Sequence, residues 1–183
     1  MIKVALTGNI ASGKTQVQKV LVEFYPVLDC DEVAHNILLT SREVFKYFGT
    51  NDRKLLAKKV FDNPIELKKL EEIIHPLVKT EIEKFFEINS VKKMVFVAIP
   101  QLFEASFESL FDKIILVCAN DKLRLERLIV RNGYDREYAI KRINSQMKQE
   151  LKIAKSDFVI ENNSDLNALK ERVYEIIKSL ELL

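Results

Sequence analysis

A chain of 183 residues is long enough for one domain with a substantial core, and its 48% hydrophobic and 31% charged content is that of a soluble globular protein. A formal net charge of +2 gives no overall drive toward nucleic acid or a membrane surface, and no apolar run is long enough to span a bilayer. The N-terminus lacks a signal-peptide pattern, and Cys30 and Cys118 have neither disulfide nor metal spacing, so reduced thiols and a cytoplasmic location are expected.

The apolar run Ile2–Leu6 predicts a buried strand, and Val17, Val20, Leu21 and Phe24 predict a helix shortly after it. Between them, Gly8-Asn9-Ile10-Ala11-Ser12-Gly13-Lys14-Thr15 fits G-x-x-x-x-G-K-[ST]. That strand–loop–helix setting predicts a phosphate cradle made of backbone N–H groups at a helix N-terminus. Lys14 is expected to reach the β and γ phosphates, and the Thr15 hydroxyl to ligate Mg²⁺.

A second strand, Pro26–Leu28, leads into Asp29-Cys30-Asp31. In extended chain, residues two apart share a face, so both carboxylates are expected at the sheet edge where ligands bind. Asp31 is then either a base or orienting group for an attacking hydroxyl or, equally, the N-cap of the helix starting at Glu32. Residues 33–92 are mostly helical and longer than one crossover needs, which predicts a helical insertion beside the cleft. Within it Gly49 is expected to cap a helix C-terminus, and His75-Pro76-Leu77 to form a junction between two helices. His75 alone is more often a packed or capping residue than a ligand.

Strands are predicted again at Met94–Ile99, Lys113–Cys118 and Asp157–Ile160, with helical patterns between them, giving a doubly wound parallel sheet. Glu104, just beyond the third strand, is a candidate contact to a Mg²⁺-bound water or substrate, or else a solvated first-turn acid. From Lys122 to Lys155 there are ten basic residues against four acidic ones. Arg124, Arg127 and Arg131 share one helical face, Gly133 breaks the chain, and a second helix follows from Asp135. A solvated face is the usual meaning of such a run. In a phosphoryl-transfer enzyme, a helical hairpin of this kind also closes over the triphosphate, with Arg131 and Arg142 the favoured contacts.

Taken together, these segments resemble the dephospho-CoA kinase family over nearly the whole chain. The likeness rests on Leu6-Thr7-Gly8 with the phosphate loop, Asp29-Cys30-Asp31, Phe48-Gly49, Arg53 before Val60-Phe61, and His75-Pro76-Leu77. It continues through Pro100 to Glu104, Arg127 and Arg131, Ala139, Arg142-Ile143, Gln146, and Asp157 through Val159-Ile160 to Asn162-Asn163. The resemblance implies an α/β P-loop NTPase fold: a five-stranded parallel sheet flanked by helices in a single domain, 1–183, with an acceptor-binding insertion at about 33–92 and a lid at about 131–153. It implies ATP-dependent phosphorylation of the ribose 3′-hydroxyl of dephospho-CoA with Mg²⁺, and no nucleic-acid or membrane partner.

By the same resemblance Asp31, Lys14 and Arg131 are catalytic; Ala11, Ser12, Gly13, Lys14, Thr15, Gln16 and Asn162 bind ATP, with Asn162 near the adenine; Thr15 is the metal ligand. Arg127, Arg131 and Arg142 belong to the lid, and Asp31, Arg53 and His75 to the acceptor side. This chain departs from the pattern at Ala11, where glycine is common and a methyl group is tolerated if φ stays below zero. Asn132 replaces an aspartate. Gln149 replaces an arginine facing the phosphates, with Lys148 and Lys152 as candidate substitutes. Other readings of the same motif are a different small P-loop kinase, a nucleotide switch and, least favoured, a nucleic-acid binder using the basic hairpin.

Overall fold

The computed structural model describes residues 1–60 and 63–183. Phe61, part of the sequence likeness above, lies outside them. The chain divides into two compact units, one of Met1–Val27 with Val91–Leu183, the other Leu28–Ser90.

The first unit carries a sheet of order β2-β3-β1-β4-β5, with β1 Ile2–Gly8, β2 Val27–Asp29, β3 Met94–Ala98, β4 Lys113–Cys118 and β5 Phe158–Glu161. The chain passes into the second unit within β2. Pairings β1–β3, β1–β4 and β4–β5 are parallel, with Leu6 opposite Ala98 on one side and Ile115 on the other. β1 is central because Val4, Ala5 and Leu6 have no polar side chain to solvate, and all three are fully buried. Helices α1 Lys14–Leu21 and α9 Leu166–Glu181 supply Val17, Val20, Leu21, Leu169, Val173, Ile176 and Leu180 to the core against Phe96, Ile115 and Ile160. Asp157 ties the start of β5 to β4: its Oδ2 accepts from the Ile114 N–H at 2.8 Å, and its Oδ1 lies 3.2 Å from Lys113 Nζ.

The second unit is helical, with α2 Cys30–Thr40, α3 Arg42–Phe48, α4 Arg53–Val60 and α5 Pro64–Ile88. The first three pack on α5. Ile74, Val78, Ile82 and Phe86, four residues apart, form its buried stripe. That stripe runs across Pro76, so the expected junction at His75-Pro76 is instead the interior of one 25-residue helix. Proline removes one N–H from the ladder, but burial on both sides of it holds the helix together. Gly49 ends α3 in a left-handed cap, as the sequence suggested.

The rest of the first unit comprises α6 Asp121–Asn132, α7 Arg136–Asn144 and α8 Gln149–Ile153. Gly133 ends α6, and Asp135 caps α7, its Oδ1 accepting from the Tyr138 N–H at 2.8 Å. No helix among the described residues is long and apolar enough to cross a membrane.

Candidate active site

β1 delivers the chain into the loop at Gly8, where a side chain has no room: a Cβ would lie 2.6 Å from both Ser12 Oγ and the Val117 carbonyl. The Ser12 N–H closes an inner turn on the Asn9 carbonyl at 3.0 Å. Gly13 then precedes α1 at φ +102, and no side chain caps that helix. The N–H groups of Lys14 and Thr15 therefore have no helical carbonyl behind them, which makes this end of the helix a ready anion site. Lys14 stands half-buried there, with Thr15 and Gln16 exposed. Gln16 donates its own N–H to the Gly13 carbonyl at 2.9 Å.

The loop's carbonyls are taken on the other side. Arg124 Nε donates to the Ile10 carbonyl at 3.0 Å. Arg127 Nη1 lies 3.3 Å from the Ala11 carbonyl and 3.5 Å from that of Ser12. Asn162 Nδ2 donates to the Ser12 carbonyl at 2.8 Å.

These contacts bear on two expectations, and the backbone overturns a third. Arg127, expected in the lid, braces the loop and the Asn162 carbonyl, the latter at 3.0 Å from its Nη2. Asn162, expected near the adenine, is buried and its side-chain amide is bonded to the loop. Ala11 has φ +62, not the negative value its methyl group prefers. Arg124, not among the arginines favoured as lid contacts, is 2% exposed and paired with Asp121 at 2.7 Å. Burial pulls its guanidinium below the usual arginine range, an effect opposed by Asp121. Nothing in helical spacing distinguishes a buried guanidinium from a solvated one, so this role was invisible in the sequence.

The segment after α7 is tied to the same loop. The Ile10 N–H donates to Gln146 Oε1 at 2.7 Å, and Asn9 Nδ2 donates to the Met147 carbonyl at 2.9 Å. Glu104, an exposed residue, is held by an ion pair. Its Oε1 lies 2.8 Å from the fully buried Lys152 Nζ and accepts from the Met147 N–H at 3.3 Å. Lys152 Nζ also donates to the Pro100 carbonyl at 3.3 Å, so it is no substitute for a missing lid arginine. Gln149 turns to Ala119, accepting from its N–H at 3.2 Å and donating to its carbonyl at 3.0 Å. Lys148 remains exposed. Arg131, also exposed, donates through Nε to Asn132 Oδ1 at 2.9 Å, so the asparagine still offers it an oxygen. Arg142 has its Nε buried without a partner.

In the second unit, the cap of α2 is Asp29, whose Oδ1 accepts from the Asp31 N–H at 2.8 Å. Asp31 is therefore not the cap, and strand periodicity does not relate the two carboxylates, because the chain turns helical at Cys30. Asp31 sits exposed in the first turn of α2, where the helix dipole favours its charge. Arg53 opens α4 and is exposed, and His75 is half-buried on α5. Cys30 and Cys118 are both buried and form no disulfide; burial and then Glu161 push the Cys118 thiol up.

Among the described residues no cluster of three acidic, histidine or cysteine side chains forms a cage for a metal. Mg²⁺ carried on a nucleotide takes one or two protein oxygens and completes its shell with phosphate and water. The exposed Thr15 hydroxyl at the head of α1 is such an oxygen.

The model of one protein family, dephospho-CoA kinase, matches residues 2–168. The dephospho-CoA kinase of Listeria innocua is 37% identical over 192 residues, covering 96% of this chain and 95% of that protein. The crystal structure of TT1252 from Thermus thermophilus superposes with a TM-score of 0.86 at 34% identity, covering 97% of this chain and 96% of that one. Dephospho-CoA kinase from Campylobacter jejuni gives 0.74 at 27% identity, covering 98% and 97%. With a phosphate loop at the end of the central strand and relatives matching from end to end, the chain belongs to the dephospho-CoA kinase family.

Proposed function

We propose that this protein transfers the γ-phosphoryl group of ATP to the ribose 3′-hydroxyl of dephospho-CoA. The observation that carries the reading is the uncapped N-terminus of α1 behind a loop whose carbonyls are occupied from outside. Family membership supplies the acceptor.

Asp31 orients the 3′-hydroxyl and accepts its proton as the oxygen–phosphorus bond forms and the bond to the β–γ bridging oxygen breaks. Lys14 and the N–H groups of Ala11, Gly13, Lys14 and Thr15 hold the β and γ phosphates in line. A loose phosphoryl-transfer transition state gains most from such positioning and from charge offset. Thr15 would hold Mg²⁺, which supplies further positive charge at the phosphate oxygens. Arg131 and Arg142 follow the same logic from the lid. Arg53 and His75 are assigned to the acceptor.

The test offers dephospho-CoA, AMP, UMP and shikimate in parallel, with ATP and Mg²⁺, and measures acceptor-dependent ADP release. Dephospho-CoA is expected to be turned over with phosphate appearing on its 3′-oxygen. Turnover of a nucleoside monophosphate with none of dephospho-CoA refutes the assignment.

A further inference from the structure

Ala11 is one of two described non-glycine residues with positive φ, and the one that lies in the phosphate loop. An L-residue holds that conformation only where its surroundings impose it. The peptide units on either side of Ala11 end in the Ile10 and Ala11 carbonyls, and each carbonyl faces an arginine of α6. Arg124 Nε reaches the first at 3.0 Å and Arg127 Nη1 the second at 3.3 Å. Arg124 is 2% exposed, and its Nη2 is buried with no partner. A buried guanidinium with an unused N–H is a poor device for stability alone, since apolar packing would serve at least as well. Its Nε contact with the loop is the feature that an apolar residue could not reproduce.

We infer that Arg124 and Arg127 are positioning residues for the phosphate loop. They draw two consecutive carbonyls outward and so hold Ala11 in the left-handed turn that leaves the following N–H groups to the nucleotide. The inference rests on the nucleotide reading of this loop. Glycine adopts φ near +60° without steric penalty, so the arginines should matter less when residue 11 has no methyl group.

That dependence separates positioning from a purely structural role. Magnesium-ADP binding is measured by calorimetry for the wild type, Arg124→Lys, Arg127→Lys, Ala11→Gly and the two pairs with Ala11→Gly, with melting temperatures for each. Lysine keeps the charge but loses the fixed fork that reaches the carbonyls. Each arginine variant is expected to weaken ADP binding about tenfold alone, and about two- to threefold in the Ala11→Gly background, as for residues sharing one network. The melting temperatures identify general destabilisation, which is the part of each change that is equal in both backgrounds. If Arg124→Lys does not fold, the half-exposed Arg127 carries the comparison. Equal weakening in both backgrounds, in a chain that binds ADP, overturns the inference alone. A wild type that binds no ADP removes the nucleotide site and the inference together.

Discussion

Gly13→Ala is the sharpest perturbation of the loop, because two separable effects coincide there. At φ +102 any Cβ is strained, by about 1–3 kcal/mol. The Cβ would also overlap Asn162 Nδ2 and sit 3.1 Å from Asn162 Cγ. Asn162 is pinned against retreat: its N–H donates to the Cys118 carbonyl at 2.8 Å, its carbonyl accepts from Arg127, and its side chain donates to Ser12. Displacing that side chain leaves buried groups unpaired, at about 1–3 kcal/mol more. The sum, about 2–6 kcal/mol, corresponds to a fall in melting temperature of roughly 5–20 °C for a chain of this size. Thermal unfolding followed by circular dichroism reads the loss, and ATP affinity should fall with it. Asn162→Ala removes the overlap but not the strain, since Asn162 Cβ would be 3.8 Å away, an ordinary contact. Gly13→Ala in the Asn162→Ala background should therefore lose less than the two variants summed, by about 1–3 kcal/mol. A Gly13→Ala protein with unchanged melting temperature and ATP affinity refutes the reasoning.

On the proposed role of its ammonium at the phosphates, Lys14→Ala should lower kcat by about two to three orders of magnitude while shifting the melting temperature little; retention of wild-type kcat removes it from the mechanism. Asp31→Asn should lose kcat with normal stability, whereas Asp29→Ala should lose about 1 kcal/mol of stability through its cap; unfolding curves beside steady-state rates distinguish them, and the reverse pattern would exchange the two roles. Glu104→Gln leaves the buried Lys152 ammonium without its counter-charge but with an acceptor oxygen, at a side chain 25% exposed, and should destabilise by about 1–3 kcal/mol, read by urea unfolding. Tyr25 donates to Glu181 Oε1 at 2.6 Å, and burial, then that hydrogen bond and charge, push its pKa up to about 12 from 10.0. Below pH 10 both states keep the proton and the stabilisation is complete; as pH rises toward 12 the unfolded chain ionises first and the stabilisation is lost. The difference in unfolding free energy between wild type and Tyr25→Phe should shrink over that window, and a constant difference would refute the shift.

Much of the fold was legible because periodicity and punctuation are local. The apolar strands, Gly49 and Gly133 as helix ends, and the loop motif all depend on residues close in sequence. Pro76 misled for the complementary reason: a proline announces a break locally, while the stripe Ile74, Val78, Ile82 and Phe86 that overrides it becomes decisive only when α5 is packed. Asp31 misled by two residues of the chain. Either aspartate is a good cap, and the point where β2 gives way to α2 decides between them.

The remaining differences concern charge. A run of arginines and lysines reads as a cationic surface because burying such groups is unfavourable on average. Here three of them have other partners: Arg124 and Arg127 hold carbonyls of the loop, and Lys152 holds Glu104 and Pro100. Which cation meets solvent and which meets a carbonyl is set by contacts over a hundred residues apart in the arginine cases, beyond any helical spacing. Gln149 follows the same rule: its neutral amide satisfies both backbone groups of Ala119, which a guanidinium, having donors alone, would satisfy only by half. The basic segment is thus partly loop scaffold, and a salt titration tests the division. ADP affinity should weaken only modestly between low and physiological ionic strength, because buried pairs are screened far less than exposed ones. A steep dependence would instead mean that exposed lid cations dominate nucleotide binding.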